Sequence, residues 1–469
     1  MNALLLALFF VSAAAAATTA DMTRPPVVGP IRLVALAPRT EWKLANGLCV
    51  VLVSDQRAPL VSASIAVQGG ESALPAEDAG LAAAMAELLT DGTATKTSNQ
   101  ISDAAELFGG SLVGEATPDA FVVEASALSD KAEAMFSLLA EVVRAPSFPA
   151  AEVALRKANM REELSADRAE SDFLASVVFY KKVFAGHPYA VTAPTNESIE
   201  RITRDRVVAA HQRLFTPRGS VLLLVGDIGL AQAQAAAQKH FGSWKGGAPA
   251  ADAPAVLTPR TERTVYLLDR PQSSQVSYVL GNLAVREDNP AYFDLLVLNG
   301  VLGGSFSSRL VRDIRETKGY TYNISSRLEH RRTGSLIRIR TPVRTEVAGD
   351  ALRDILGHLN GIRDSEPSAE EVAQAKAYLA GSFARRMETQ EGLAEALLHQ
   401  KLLRLPADFY DTYVDRVSAV TPASARKAAQ TFLRPDEMTV VAVGDAAKLK
   451  GTLSTFTKKP VVSVGVDGD

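Results

Sequence analysis

A guanidinium and two phenols stand close together in the segment "IRETKGYTY", which runs from Ile314 to Tyr322. Arg315 with Tyr320 or Tyr322 could form a functional pair, because a positioned guanidinium and a phenol O–H can both stabilise negative charge that develops on an oxygen. Taken alone, the segment also fits an ordinary helix end, at which Gly319 stops the helix and the tyrosines are exposed. The residues by themselves leave both interpretations open.

The sequence offers no local motif that could complete a hydrolytic centre around that pair. The closest two histidines are 24 positions apart, so no two-histidine metal motif exists along the chain; the histidines are His187, His211, His240, His330, His358 and His399. His187 is followed by Pro188 in "GHPYA" and is predicted to be structural. Cys49 is the only cysteine, which excludes an intramolecular disulfide and a cysteine-based metal site. The sequence therefore predicts that this chain binds no metal and does not hydrolyse peptides alone.

Length and composition favour a globular protein of two or more domains. The chain has 469 residues, of which 47% are hydrophobic and 22% are charged. The net charge is −3 and the basic residues are dispersed, which argues against nucleic-acid binding.

The amino terminus resembles a secretory signal peptide. An apolar run from Ala3 to Ala17 is shorter than the roughly 18 residues of a membrane span and ends in small residues. We therefore predict a signal peptide over residues 1–20, export to a bacterial periplasm and no stable membrane insertion after cleavage. No lysine or arginine precedes the apolar run, so an N-terminal anchor or a disordered tail is the alternative.

The chain repeats itself. "PSFPAAEVALRKANMREEL" resembles "EPSAEEVAQAKAYLAGSF", with Pro149 matching Pro367 at an offset of 218 positions. "VAAHQRLFTPRGSVLLLVGD" resembles "ARKAAQTFLRPDEMTVVAVGD", with Gly226 matching Gly444 at the same offset. A constant offset across separated segments indicates a duplication.

Each half reads as one series of strands and helices. In the first half, "GLCVVLVSD" and "LVSASIAVQGG" are predicted to form a strand pair, followed by a helix from about Gly80 and the hairpin "SLVGEATPDAFVVEASAL". A long helix follows Pro149, and the half closes with the strand "SVLLLVGD". The predicted fold is α+β, with two homologous domains that each contain a mainly antiparallel sheet covered by helices. Their boundaries are 38–245 and 261–460, with an extended linker at 246–260.

Several stretches, taken in order, resemble one known family. They are "GLAAAMAELLTDGT", "GHPYA" followed by "TNESI", "LFTPRGSVLLLVGD" and "SFSSRLVRDIRETKGYTY". Together they resemble the pitrilysin/insulinase superfamily of zinc peptidases (inverzincins), in particular its small two-domain branch of bacterial and mitochondrial processing peptidases. The resemblance covers essentially the whole mature chain.

The resemblance also exposes a missing metal motif. Peptidases of this family carry H-x-x-E-H on a helix of the first domain, where two histidines bind zinc and the glutamate activates water. Here the histidine positions are Ala83 and Glu87 and the glutamate position is Ala86. The third, acidic ligand falls at Glu162 or Glu163, and these acids are predicted to be surface or helix-stabilising residues.

The resemblance gives Arg315 and Tyr322 a function. In similar peptidases a zinc-free second domain faces the first across a closed chamber and supplies an arginine and a tyrosine seven residues apart, the spacing found here; Tyr320 fits less well. The resemblance implies a heterodimer with a paralogous chain that bears H-x-x-E-H and zinc, acting on unfolded peptides. This chain would bind no cofactor and would contribute the two residues to catalysis.

Other expectations concern peptide binding and rival functions. Gly114, Glu115 and Ala116 are predicted to contact peptides on an edge strand, with an ordinary covered edge strand as the alternative. "GGSFSS" (Gly303 to Ser308) is predicted to be a tight turn before a helix. The rival functions are a catalytically inactive scaffold, as in the core subunits of the respiratory cytochrome complex, and a peptide-binding homodimer that traps without cutting.

Overall fold

The structure is a computed structural model and describes residues 36–254 and 256–469. The predicted signal peptide over residues 1–20 lies outside these described residues. No helix within the described ranges is long and apolar enough to cross a membrane.

The described residues form strands that belong to two sheets. The strands are β1 (Arg39–Lys43), β2 (Cys49–Ser54), β3 (Leu60–Gln68), β4 (Ser111–Ala116), β5 (Ala120–Leu128), β6 (Val221–Gly226), β7 (Thr264–Asp269), β8 (Gln275–Ala284), β9 (Ser325–His330), β10 (Ser335–Arg344), β11 (Thr439–Gly444) and β12 (Val462–Val464).

Helices surround both sheets. The α-helices are α1 (Leu81–Leu88), α2 (Ser98–Leu107), α3 (Ala132–Arg144), α4 (Ala150–Ala169), α5 (Ser171–Val183), α6 (Asn196–Glu200), α7 (Arg204–Leu214), α8 (Leu230–Phe241), α9 (Tyr292–Asn299), α10 (Ala348–Asp364), α11 (Ala369–Glu388), α12 (Gln390–Leu402), α13 (Tyr413–Ala419), α14 (Pro422–Phe432) and α15 (Ala446–Leu453). Two π-helical segments, Gly300–Gly304 and Val311–Thr317, follow α9.

Five of the six strands follow the same order in the two sheets, which confirms the duplicated α+β fold. The strand orders are β1-β2-β6-β3-β5-β4 and β12-β7-β11-β8-β10-β9. In each sheet one inner pair is parallel, β2 with β6 and β7 with β11, and the pairs that follow are antiparallel. The halves differ at one outer strand, since β1 is antiparallel to β2 whereas β12 is parallel to β7.

The predicted pairing of "GLCVVLVSD" with "LVSASIAVQGG" is wrong. These segments form β2 and β3, but β6 lies between them and bonds to both. Five of the six residues of β6 are buried, so this strand is apolar on both faces and belongs in the middle of the sheet. The hydrophobic alternation identified each strand correctly but could not order them.

Each half covers a sheet face of the other half. Helix α5, from the first half, packs on β8 and β11 of the second sheet, where Phe179 and Val178 meet Val279 and Val441. Helix α12, from the second half, packs in turn on β3 and β6 of the first sheet. The two halves therefore complete each other's hydrophobic cores.

The predicted linker 246–260 is packed against both halves. Asp252 forms ion pairs with Arg332 and Arg404, each at 2.7 Å, and accepts a hydrogen bond of 3.0 Å from Gln68. His187, close to this segment, accepts a hydrogen bond from the backbone N–H of Tyr189 at its Nδ1. The Nε2 of the same ring lies 2.7 Å from the carbonyl oxygen of Pro254, so the imidazole joins two loops.

Candidate functional site

Arg315 belongs to a π-helical segment, Val311–Thr317, which turns more widely than an α-helix. The N–H of Lys318 donates to the carbonyl of Asp313 at 2.9 Å, which is the i to i−5 spacing of such a turn. Gly319 follows with φ of +60°, a left-handed conformation that favours glycine and ends the helix as predicted. π-Helical turns are often found at functional sites, where they redirect side chains.

Ion pairs fasten this turn to α10. The ammonium of Lys318 lies 3.0 Å from Asp313 and 2.7 Å from Asp354. His358, on α10, lies 2.7 Å from the same Asp313 carboxylate. Lys318, three residues after Arg315, therefore connects the backbone of this turn to α10, so the position of Arg315 depends on the packing of α10.

Arg315 and Tyr322 are in contact. The guanidinium carbon of Arg315 lies 5.1 Å from the centre of the Tyr322 ring, within the range of a cation–π interaction. Tyr322 is 85% exposed, whereas Tyr320 is half-buried and packs against the core of the second half. The structure therefore brings together the two residues that the sequence paired, and it leaves the Tyr322 side chain accessible.

Phe306 is a third member of this group that the sequence analysis missed. Its ring centre lies 5.0 Å from the guanidinium carbon of Arg315, and the side chain is 69% exposed. It stands in "GGSFSS", of which Gly303 and Gly304 end a π-helical segment and only Ser305 to Ser308 form the predicted turn before a helix. The only signal available in the sequence was a large apolar residue, phenylalanine, among serines in a predicted turn.

A partly buried ion pair between Arg309 and Glu371 stabilises the turn that contains Phe306. Arg309 donates to both carboxylate oxygens of Glu371, at 2.7 and 2.8 Å. These hydrogen bonds lower the pKa of Glu371 to about 2, so the carboxylate is ionised at neutral pH. The bidentate contact joins the turn to the start of α11.

The degenerate zinc motif lies on α1, in the first half. Ala83 is half-buried, Ala86 is fully buried and Glu87 is exposed. The two alanines have no atoms that can bind a metal or move a proton. The residues present therefore do not fit the zinc ion that the family motif implies.

An arginine lies among the former ligand positions. Arg156, on α4, approaches Glu87 to 2.9 Å and donates to the two oxygens of Glu163 at 2.8 and 3.0 Å. Burial raises the pKa of Glu87, and the positive charge of Arg156 offsets part of that effect. One guanidinium thus pairs with two carboxylates, and offsets part of their negative charge, at the positions from which similar peptidases hold a metal.

Glu163 is the candidate third-ligand acid that reaches this group, and Glu162 is exposed on α4. Both acids are exposed on α4, as expected of surface or helix-stabilising residues, and Glu163 also connects α4 to the motif helix through Arg156. Arg156 precedes Glu163 by two helical turns on the same face, a spacing that could have signalled the contact. The described part of the chain holds no group of three or more His, Cys, Asp or Glu side chains placed to bind a metal ion.

The predicted peptide-contact residues lie on an outermost strand. Gly114, Glu115 and Ala116 belong to β4, which pairs with β5 at the edge of the first sheet. A Cβ atom added to Gly114 would lie 2.2 Å from the carbonyl oxygen of Ala86. Glycine is required there because β4 passes directly against the motif helix α1.

The structure therefore separates the candidate residues into two groups. Ala83, Ala86 and Glu87 on α1 lie beside β4 in the first half, and α1 packs against α4 and α7. Arg315 and Tyr322 lie in the second half, on a turn that packs against α10.

Two family models match the chain. Residues 49–191 match the model described as insulinase (peptidase family M16), and residues 201–379 match the model described as peptidase M16 inactive domain. The first match lies within the first half, whereas the second begins in the first half, just before α7, and ends within α11 of the second half.

Curated relatives and solved structures agree with these matches. An uncharacterized zinc protease of Mycobacterium leprae is 29% identical over 61% of this chain and 65% of its own length. The non-peptidase homolog YmxG of Helicobacter pylori is 22% identical over 86% of this chain and 93% of its own length. A crystal structure described as the peptidase M16 inactive domain from Pseudomonas fluorescens has 26% identity and a TM-score of 0.81, covering 87% of this chain and 98% of that one.

Proposed function

Because this chain belongs to peptidase family M16 and its motif helix carries no zinc ligands, we propose that it is the non-zinc subunit of a heterodimeric metallopeptidase. The partner is a paralogous chain with an intact H-x-x-E-H helix, which supplies the zinc. The substrates are unfolded peptides. Export to a bacterial periplasm, which follows from the apolar amino terminus, is part of the same proposal.

The role of this chain is to stabilise charge in the transition state. The partner's zinc provides the activated water and polarises the peptide carbonyl. Attack on that carbonyl places negative charge on its oxygen, and the phenol O–H of Tyr322 and the guanidinium of Arg315 donate to it. Arg315 can also bind a neighbouring substrate carbonyl through its several donors.

The contact between Arg315 and Tyr322 is the observation that carries the proposal. A guanidinium beside an exposed tyrosine, on a turn fastened through Lys318 to α10, presents both donors from a fixed backbone. A side chain held in place before substrate binds loses less entropy when it makes its transition-state contact.

Peptides would enter along β4. An extended peptide can add to an outermost strand through main-chain hydrogen bonds, and Gly114, Glu115 and Ala116 would contact it. The close approach of β4 to α1 would put that peptide beside the degenerate helix in this chain.

The experiment is a peptide-cleavage assay with this chain alone, with its zinc-bearing paralogue alone and with the two mixed. We expect cleavage only in the mixture, complete loss with a chelator, and a fall of about 10²–10³ in kcat for Arg315→Ala or Tyr322→Phe. As a control, Tyr378→Phe removes the hydroxyl of a different exposed tyrosine, which lies on α11, and should leave the rate unchanged. Equal activity of the paralogue alone, or indifference of the mixture to both substitutions, would refute the shared site.

A second candidate is a catalytically inactive scaffold or a peptide-binding homodimer. The ion pairs of Arg156 with Glu87 and Glu163 favour it, since they place a guanidinium where similar peptidases hold the zinc ion. One relative also bears the description non-peptidase homolog. Under this function the paralogue's activity would not depend on Arg315 or Tyr322, and peptide binding would be insensitive to chelators.

A further inference from the structure

A cavity of about 1020 Å³ lies beside the degenerate zinc motif. Ala83, Arg156 and Glu163 line one part of it, and residues of α5 and of the loop 185–197 line another. Arg168, Lys181 and Lys182 also line it, and we call these three side chains the cationic rim; acidic side chains line the cavity as well, namely Glu71, Asp78, Asp167 and Glu197.

The last described residues of the chain occupy the cationic rim. After β12 has paired with β7, residues 465–469 fold into a compact turn, in which the N–H of Gly465 donates to the carbonyl of Asp469 at 2.8 Å. Val466, Asp467 and Asp469 from this turn line the cavity. We call residues 465–469 the acidic turn.

The contacts between the rim and the turn are mainly electrostatic. Arg168 forms an ion pair with Asp467, and Lys181 forms one with Asp469. Lys181 also donates to the backbone carbonyl of Asp467 at 2.7 Å. The hydrogen bond from Lys181 lowers the pKa of Asp469, so this carboxylate stays ionised.

The side chains in these ion pairs are partly exposed, so the pairs hold the acidic turn only weakly. Arg168 is 23% exposed and Lys181 37%, while Asp467 and Asp469 are 44% and 83% exposed. Exposed ion pairs are individually weak and are screened by salt. Gly468 is buried against Val178 and Lys181, but the turn inserts no side chain into a core, so the acidic turn can leave the rim with the core side chains still in place.

We propose that the cationic rim is a binding site for short acidic peptide segments, and that the acidic turn is its intramolecular occupant. The ligand chemistry is two carboxylates separated by one small residue, as in Asp467-Gly468-Asp469, together with one peptide carbonyl. The site is separate from Arg315 and Tyr322 and does not depend on a zinc-bearing partner.

Tethering explains why an external peptide would bind weakly to the intact chain. A tethered segment competes at an effective concentration in the millimolar range. An acidic peptide with a dissociation constant near ~0.1 mM would bind about tenfold more weakly while the turn is in place. Removing the turn should therefore reveal the site.

The test is fluorescence anisotropy with the labelled peptide VSVGVDGD and, as a control, its neutral analogue VSVGVNGN. A chain that ends at Val464 keeps β12 but lacks the acidic turn, and it should bind VSVGVDGD about tenfold more tightly than the intact chain. The double substitution Asp467→Asn with Asp469→Asn releases the turn without shortening the chain and should have the same effect. Circular dichroism melting would verify that both variants are folded.

Substitution of the rim completes the test. In the shortened chain, Lys181→Glu should abolish binding, whereas Lys245→Glu, at an exposed lysine outside the cavity, should not change it. Raising the salt concentration should weaken binding. Equal binding of both peptides, no gain after release of the turn, or survival of binding in Lys181→Glu would overturn the proposal.

Discussion

The aromatic ring of Phe306 lies as close to the guanidinium of Arg315 as the ring of Tyr322 does, with centre-to-carbon distances of 5.0 and 5.1 Å. Two exposed aromatic residues thus contact one cation. We expect Phe306 to orient Arg315 toward substrate.

Replacing Phe306 by alanine should lower the activity of the mixed subunits modestly. A cation–π contact at an exposed site contributes about 0.5–1 kcal/mol, which corresponds to a fall of about two- to fivefold in kcat/KM. Phe306→Tyr keeps a ring in contact with Arg315 and should retain activity. A loss as large as that of Arg315→Ala would instead indicate that Phe306 itself contacts the reacting groups.

Restoring two histidines should not restore zinc binding while Arg156 remains. In the variant Ala83→His with Glu87→His, the guanidinium still donates two hydrogen bonds to Glu163, one of the two candidates for the third ligand. Hydrogen bonds to charged groups contribute about 1.5–3 kcal/mol, so zinc affinity should rise about 10- to 100-fold when Arg156→Met is added. Competition with a chromogenic chelator measures the zinc affinity of the two variants. Equal zinc affinities with and without Arg156→Met would show that Arg156 does not block metal binding.

Gly114→Ala should destabilise the protein. The added methyl would lie 2.2 Å from the Ala86 carbonyl oxygen, so β4 or α1 must move, at a cost of about 1–3 kcal/mol. Gly361→Ala is the matched control, because nothing lies within 4 Å of its added Cβ and alanine favours the α10 helix. Urea unfolding of both variants compares the two free energies, and a neutral Gly114→Ala would contradict the close packing.

Stability should fall between pH 6.5 and 4 partly because of His211. Burial lowers its pKa to about 4, and its ring lies 2.9 Å from the carbonyl oxygen of Val143. Since the unfolded chain takes up the proton near pH 6.5 and the folded chain only near pH 4, stability present above pH 6.5 is lost as the pH falls. The loss amounts to about 3 kcal/mol at most.

His211→Gln removes this titration and keeps an N–H donor for Val143. Urea unfolding at pH 6.5 and at pH 4.5 should therefore show a smaller loss of stability in the variant than in the unaltered protein. Identical losses would indicate that other groups account for the whole pH dependence.

The duplicated fold was accessible from the sequence because similar segments recur at a constant offset, whereas the pairing of Arg315 with Tyr322 came from the family resemblance. The strand order was not accessible, since the place of β6 between β2 and β3 depends on contacts distant along the chain. Arg156 and Phe306 were missed for the same reason. An arginine is common in a helix, and Arg156 meets the motif helix only because α4 packs on α1. Phe306 likewise meets Arg315 only because its turn lies beside that residue.

Because α5 and α12 each pack on the sheet of the other half, the two halves should stay associated after the segment that links them is cut. Each half contributes a helix to the other's sheet, so the two remain associated through buried apolar contacts rather than through residues 246–260. A single proteolytic cut in that segment should leave two fragments that elute together and denature in one transition. Either fragment expressed alone should aggregate, and co-expression should rescue both by fragment complementation.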